Sequence, residues 1–436
     1  MTYAEAIQYL ESACPFGIKP GLMRIHELLE RTGNPQKQYK TVHVTGTNGK
    51  GSVTAMIAAG IAAAGKKTGR YTSPHLETYT ERMAIDGENI SEAEFAAVTE
   101  TIKEAAEAMK EDGFESPTEF ELLTAMAFLY FAEKQVEYAV IEVGLGGLLD
   151  STNVIIPVVS VITNVAMDHM AYCGNTIEEI ARHKAGIIKA GVPVVTAATG
   201  AALAEIKKVS AEKHAPLHVF GADINCPERK NVVRDGMRLQ YVHVRTGKKA
   251  NDVYFPLLGE HQAKNCCLAA AALQCIGRFD AAVTAEVIRK GIASVCWPGR
   301  FQILTTDGKT VVIDGAHNAA GAAAFAETYD EVFGNRRRLF VFAVLADKEY
   351  GNMINLLFRE GDRIICVPAP SPRTADPKET AALIGTRAET APSPEAALEK
   401  ALDIMTPDDV CCVVGSLYMQ EPVRRFLRER CGCAGI

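Results

Sequence analysis

Short runs of β-branched and aliphatic residues alternate along this chain with longer, alanine-rich stretches of helical character. The runs Thr41–Thr45, Tyr138–Val143, Val158–Thr163, Val192–Thr196, Thr310–Asp314, Leu339–Val344, Arg363–Val367 and Val410–Val414 are apolar almost throughout, not at every second position. That pattern predicts parallel strands covered on both faces. Between them, Ser91 with Glu94, Ser116 with Glu119 and Thr176 with Glu179 have the spacing of capping boxes at helix starts. Ala198–Ala204 is predicted to open a further helix. The alternation of β and α elements implies α/β domains with mostly parallel sheets.

One stretch breaks the alternation. Val232–Val233, Arg238–Arg245 beyond the Asp235-Gly236 turn, and Asn251–Leu257 read as antiparallel hairpins, a small side sheet on the first domain. The helical stretch Gln262–Cys275 follows, and then Trp297-Pro298-Gly299-Arg300, where proline and glycine mark a linker. A second α/β series starts at Phe301. The expected division is 1–296, a hinge at 297–300, and 301–436.

Composition narrows the classes. Of 436 residues, 48% are hydrophobic and 23% charged, which excludes a disordered or fibrous chain. Lys and Arg number 46 against 53 Asp and Glu, a net charge of −7, so no general basic field favours nucleic acid or an anionic membrane. The opening MTYAEAIQYL lacks the basic and apolar regions of a secretory signal, and there is no apolar run of roughly 18 residues. A cytoplasmic location is expected. The 12 cysteines include no CxxC pair, so buried reduced thiols fit better than a zinc or disulfide framework.

The chemistry starts after the first strand. Gly46-Thr47-Asn48-Gly49-Lys50-Gly51-Ser52 lies between Thr41–Thr45 and the helical Val53–Ala64. Strand, glycine loop and helix are the context of a phosphate-binding loop. Glycines turn backbone N–H groups toward the phosphates, the helix start adds partial positive charge, and Lys50 reaches the terminal phosphates. Ser52 is expected near the metal side of the nucleotide. The spacing departs from GxxxxGK[ST], because Gly51 separates Lys50 from Ser52. The absence of NKxD argues against an ordinary GTPase. The fold expectation becomes an N-terminal P-loop ATPase domain, mostly parallel with the antiparallel side sheet, and a C-terminal Rossmann-like α/β domain.

Glu142 closes the run Tyr138–Val143, and His169 follows Val158–Thr163. Ligands gather at the carboxyl ends of strands in open α/β sheets, so both point toward the phosphate loop. Alone, such a Glu is a capping residue and such a His a structural one. ATP brings magnesium, which needs oxygen ligands, and that reverses the balance. Imidazole is an unusual magnesium ligand, so chemistry alone does not select His169.

GTNGKGS resembles the phosphate loop of the Mur-ligase superfamily of ATP-dependent amide ligases. The chain is more closely similar to the folylpolyglutamate synthases, often bifunctional with dihydrofolate synthase, from Gly21-Leu22-Met23-Arg24-Ile25 to Gly415-Ser416-Leu417-Tyr418. The resemblance implies an ATP-dependent carboxylate–amine ligase that adds L-glutamate to a folate, and also to dihydropteroate, through an acyl phosphate. It implies ATP as cosubstrate and Mg2+ as cofactor, leaves K+ open, and makes the partners small molecules, with no nucleic acid, no membrane and a monomeric state.

Residue by residue, the resemblance implies ATP contacts at Gly46, Thr47, Asn48, Gly49, Lys50, Gly51, Ser52, Asn265, Arg300, Asp314 and His317. Asn265 both donates and accepts, as an adenine edge requires. Arg300 suits a phosphate clamp, Asp314 a ribose hydroxyl and His317 a phosphate. Ser73, Glu142 and His169 match metal ligands. Lys50, His169 and Lys184 carry the catalytic roles, Lys184 as a carbamate. Thr118, Phe120, Glu121, Leu149, Asp150 and Ser151 match the folate side, with Phe120 able to stack on a flat ring. Ser416 and Tyr418 match the glutamate side, and Arg373 is a further carboxylate-binding group there. Four places depart from the family pattern: Leu148 stands for the usual Arg, Ser151 for Ala, His183 for Glu, and Gln420-Glu421-Pro422 for small residues.

Two other readings compete. Cell-wall Mur ligases usually carry an extra N-terminal domain for a UDP-sugar, and only 45 residues precede Gly46 here. A nucleotide-binding regulatory protein without ligase chemistry would have no use for Glu142, His169 and Lys184 together.

Overall fold

A computed structural model describes residues 1–13, 19–168, 170–247, 249–346 and 350–431. The chain forms two compact units: Met1–Lys230 with Tyr241–Phe255 and Gln262–Val295, and Asn231–Gln240 with Pro256–His261 and Cys296–Ile436.

The first unit holds β1 (Lys40–Thr45), β2 (Thr68–Tyr71), β3 (Met83–Ile85), β4 (Glu88–Asn89), β5 (Tyr138–Glu142), β6 (Val159–Ile162), β7 (Val194–Thr196) and β8 (Leu217–Val219). Their order is β4-β3-β2-β5-β1-β6-β7-β8. The run from β2 to β8 is parallel, and β3 and β4 form an antiparallel edge. One face of this sheet packs Tyr71, Ala139 and Ile141 with Phe95, Leu122, Phe128 and Phe131 from the covering helices.

Next come β9 (Ile224–Arg234), β10 (Met237–Thr246) and β11 (Lys249–Phe255), a separate sheet in the order β11-β10-β9. Asp235 and Gly236 join β9 to β10 with φ of 50° and 77°. Two such residues match the right-handed twist of a hairpin. This side sheet is not confined to the first unit, as its place in the chain suggested. Asn231–Gln240 groups with the second unit, where the Arg238 guanidinium lies 5.6 Å from the Phe333 ring centre and the Gln240 amide donates to the carbonyls of Leu257 and Gly259.

The second unit is built on β12 (Gln302–Thr306), β13 (Lys309–Ile313), β14 (Arg338–Phe342), β15 (Arg363–Cys366), β16 (Ala388–Thr390) and β17 (Val410–Val414). The order is β12-β13-β17-β14-β15-β16, with only the β12–β13 pair antiparallel. Leu339, Val341, Cys411 and Val413 enter one core; Phe340, Phe342, Cys412 and Val414 enter the opposite one. Both faces are covered, which is why Leu339–Phe342 and Val410–Val414 are apolar at every position.

The capping boxes of Ser91 and Thr176 form as expected. The third shifts by two residues. Thr118, not Ser116, caps the helix Glu119–Glu133, exchanging hydrogen bonds with Glu121 at 3.2 and 2.7 Å. Arg24 favours this register, since its Nε donates to the buried Glu121 carboxylate at 3.0 Å. Cys173, Cys266, Cys267, Cys275, Cys366, Cys411 and Cys412 are buried thiols. Among the described residues, no helix is long and apolar enough to cross a membrane.

Candidate active site

The strand order of the first sheet makes β5, β1 and β6 neighbours, so the segments leaving their carboxyl ends converge. The phosphate loop leaves β1. Gly49 ends it with φ 84° and caps the helix Lys50–Ala62. The segment after β6 cradles it. Asn48 N–H donates to Asn164 Oδ1 at 2.9 Å, Thr163 Oγ1 donates to the Asn48 carbonyl at 2.6 Å, and Ala166 N–H donates to Thr47 Oγ1 at 3.0 Å. A Cβ on Gly46 would lie 1.8 Å from Thr163 Oγ1, so the cradle admits only glycine there. Lys50 Nζ folds back to donate to the carbonyls of Gly46 and Thr47 at 3.1 and 3.3 Å, which holds the ammonium over the loop.

Ser52 Oγ is buried and accepts from Gln262 Nε2 at 3.2 Å; Gln262 Oε1 accepts from Asn265 Nδ2 at 3.1 Å. The Asn265 amide also fills the space beside Gly49. Asn265 therefore stands at the phosphate loop, one step from Ser52.

Glu142 is 4% exposed at the end of β5 and accepts from the Ser73 N–H at 3.2 Å. The Ser73 loop is braced by Glu81, whose carboxylate accepts from the N–H groups of Leu76, Glu77 and Thr78, each at 2.8 Å. A carboxylate and a hydroxyl fit Mg2+, which keeps several waters and takes its remaining oxygens from substrate phosphates. Among the described residues, no three of His, Cys, Asp and Glu gather as a metal cluster. His169 lies outside the described residues.

Lys184 is 4% exposed in the last turn of the helix Ile177–Ala185. Burial, and then the charge of Lys50, push its pKa down to about 7. A substantial share of neutral amine near neutral pH is the condition for reaction with carbon dioxide. The next residue back, His183, lowers its own pKa through burial and Lys184, and its ring fills the space beside Gly146.

Between β5 and the helix carrying Lys184 runs the loop 144–153. Leu148 N–H donates to the His183 carbonyl at 2.8 Å, and Asn153 Nδ2 donates to the carbonyls of Leu148 and Gly186. Asp150 is buried, and burial raises its pKa against the hydrogen bonds from Thr152 and Leu145. Ser151 is buried too, whereas Leu148 and Leu149 are 45% and 42% exposed. Phe120 reaches the same loop, its ring filling the space beside Gly144 with the Tyr71 ring 6.1 Å away. Thr118 and Glu121 stand at the same helix start, engaged with each other and with Arg24.

In the second unit β13, β17 and β14 are neighbours. Asp314 follows β13, buried, with a raised pKa from burial that Arg300 opposes. Its carboxylate accepts from Phe301 N–H at 2.7 Å and Ala316 N–H at 2.8 Å. Arg300 Nη1 donates to the Gly299 carbonyl and lies against Gly315. His317 Nδ1 pairs with the Gly315 carbonyl at 2.8 Å, so that nitrogen carries the proton. After β17, Ser416 Oγ accepts from Tyr418 N–H at 3.3 Å, and Arg373 Nη2 donates to Tyr418 Oη at 3.1 Å. Arg373 thus joins Ser416 and Tyr418 in one polar cluster.

The chain matches two domain families: Mur ligase middle domain over residues 44–273, and Mur ligase, glutamate ligase domain over 299–417. It is 36% identical over 431 residues to the dihydrofolate synthase/folylpolyglutamate synthase of Bacillus subtilis, covering 98% of this chain and 99% of the relative. Among solved structures, Mycobacterium tuberculosis folylpolyglutamate synthase complexed with ADP matches with a TM-score of 0.89 at 32% identity, over 98% of this chain and 99% of that one. Escherichia coli FolC in complex with DHPP and ADP matches at 0.87 and 31%, over 99% and 98%. The chain belongs to the folylpolyglutamate/dihydrofolate synthase family of Mur ligases. As a member of this family it is an ATP-dependent amide ligase, and ATP is its cosubstrate.

Within this ligase, sequence reasoning overlooked the supports of the named groups. Thr163 and Asn164 cradle the phosphate loop, Gln262 links Ser52 to Asn265, and Glu81 braces Ser73. Only Asn164 carried a signal, as an amide directly after a predicted strand.

Proposed function

We propose that this enzyme joins the amine of L-glutamate to the carboxylate of a folate, lengthening its glutamyl tail, and that it also accepts dihydropteroate. The observation that carries the reading is the shared support of two loops: the phosphate loop and the loop 144–153 are both anchored on β1. The B. subtilis and E. coli relatives support the dual substrate choice.

A carboxylate repels nucleophiles, so it must first become an acyl phosphate. Lys50 and the backbone N–H groups of the loop offset charge on the transferring phosphoryl. Mg2+ would be held by Glu142, Ser73 and His169, with carbamylated Lys184 in support, and would supply further charge neutralisation. Phe120, Leu149, Asp150 and Ser151 orient the folate. Asn265, Arg300, Asp314 and His317 hold the nucleotide. Ser416, Tyr418 and Arg373 hold glutamate, whose neutral amine displaces phosphate. In this reading 1–296 is the ATP and folate domain, 297–300 the hinge and 301–436 the glutamate ligase domain.

The test is one assay of ATP, L-glutamate and either dihydropteroate or a reduced folate, read by product mass. An acceptor heavier by one glutamyl residue, with ADP and phosphate formed in step, is expected. ADP release without amide across the acceptor panel would reject the reading.

A further inference from the structure

We propose that His43 is a positioning residue for the acceptor: through Thr152 it orients Asp150 and so sets where the loop 144–153 presents a carboxylate to the phosphate loop. The proposal rests on the acceptor role given above to Asp150.

His43 sits on β1, three residues before the phosphate loop begins at Gly46. An imidazole is out of place there, since Val42 and Val44 flank it in a strand covered on both faces. Residues two apart on a strand share a face. His43 and Thr45 both use theirs to grip the loop 144–153. Thr45 Oγ1 donates to the Gly146 carbonyl at 2.6 Å. His43 Nε2 lies 2.8 Å from Thr152 Oγ1, and Thr152 Oγ1 donates to Asp150 Oδ1. Asp150 also accepts from Thr152 N–H at 3.0 Å and, on its other oxygen, from Leu145 N–H at 2.8 Å. His43, Thr45 and Thr152 are fully buried.

The chain has one consistent polarity. An ionised Asp150 only accepts, so the Thr152 hydroxyl proton points at it. Thr152 Oγ1 then accepts from His43, which places the ring proton on Nε2. Nδ1 is left as a bare lone pair, and Nδ1 is the His43 ring atom without a partner. Burial, and then Lys189, hold the ring neutral with a pKa pushed down to about 3. An aliphatic residue at 43 would fill the space but leave Thr152 without its donor and free to turn. Asp150 would lose its side-chain donor and be held by the Thr152 and Leu145 N–H groups alone. The same strand thus launches the phosphate loop and fixes the acceptor loop, which is the kind of alignment an in-line phosphoryl transfer needs.

The test compares His43→Leu, His43→Gln, Thr152→Val, Thr152→Ser and the double variant His43→Leu/Thr152→Val. Acceptor affinity is measured by calorimetric titration of dihydropteroate and of a reduced folate with ADP present, alongside KM values for ATP and L-glutamate and thermal melts. His43→Leu and Thr152→Val should each weaken acceptor binding about tenfold, the scale of one lost buried hydrogen bond. Gln and Ser, which keep the donor or the hydroxyl, should return most of it. The double variant should be no worse than either single one, and the ATP and glutamate KM values should stay within about twofold. Unchanged acceptor affinity, additive losses, or equal losses on all three substrates would overturn the proposal. Should the variants fail to fold, histidine ring 15N shifts of the wild type decide. A neutral Nε2–H tautomer across roughly pH 5 to 8 is expected, and an Nδ1–H tautomer or a charged ring in that range refutes it. A wild type that binds neither acceptor would sink the substrate reading and this inference together. A wild type that binds, with variants unchanged, would sink only this one.

Discussion

The functional groups of the two units are built on opposite principles. In the first, charged and titratable groups are taken out of water: Lys184, Asp150, Glu142 and His43 are each under about a tenth exposed, and three of them have displaced pKa values with burial as the leading cause. In the second, the cluster proposed for glutamate has one buried member, Ser416, and is otherwise wet. Tyr418 is 42% exposed, and its partner Arg373 is exposed as well. Asp314 is buried too, tied to backbone donors. The difference teaches where strain is stored. A group that must react or steer charge is held in an unfavourable medium, whereas a group that must catch a small hydrophilic amino acid keeps its hydration until the ligand arrives.

The sharpest way to break that contrast is Lys50→Ala. Losing one positioned cation at a transferring phosphoryl should lower amide formation by roughly 10²–10³, about 3–4 kcal/mol, with the thermal melt unchanged. Near wild-type turnover would remove Lys50 from the chemistry.

Lys184→Ala should regain part of its lost turnover with a small added carboxylate, which fits the space alanine leaves; Lys184→Met, which fills that space, should lower turnover by about 10² without rescue. Stability should move the other way. The folded pKa of Lys184 is depressed from 10.5 to about 7. Between those values the unfolded chain binds more protons, so this group makes wild-type stability rise with pH across the window. Below about 7 the native state carries a buried charge. In bicarbonate-free buffer near pH 6 the variant should therefore melt higher than wild type. Intact mass under bicarbonate should show one added carboxyl on the wild type and none on the variant.

Arg373→Ala probes the wet side. It should raise the KM for L-glutamate about tenfold and leave those for ATP and acceptor within about twofold. Equal effects on all three would assign Arg373 a structural part. Smallest of all should be Leu148→Arg. With Leu148 45% exposed, a restored guanidinium is screened by water, so kcat/KM for dihydropteroate and a reduced folate should each change less than about threefold. A tenfold gain for one substrate alone would place this loop position in the specificity machinery.

Legibility in the sequence followed burial. Strands covered on both faces announced themselves: β1, β5, β6, β7, β13, β14, β15 and β17 all coincide with apolar runs. β2 did not, because Gly69 and Arg70 interrupt Thr68–Tyr71, although the strand pairs with β5 inside the sheet. The edge pieces β3, β4, β8 and β16 span only two or three residues each, too short for a period to register. The cap at Thr118 was misregistered because its decisive partner, Arg24, lies 97 residues from Glu121. At the site, the phosphate loop was legible as a local motif. His43 was not, since a histidine within a hydrophobic strand looks like core until Thr152 is folded beside it.

The fit of Asn265 against Gly49 has an evolutionary edge. A side chain at 49 would collide with the Asn265 amide at 2.6 Å, and trimming Asn265 could relieve only that collision. The backbone at 49, with φ 84°, would still resist nearly every other amino acid. No single compensating change removes both obstacles, so a saturation library should return position 49 almost unaltered. A compound that leaned on this corner of the loop would leave the organism few routes to resistance through residue 49.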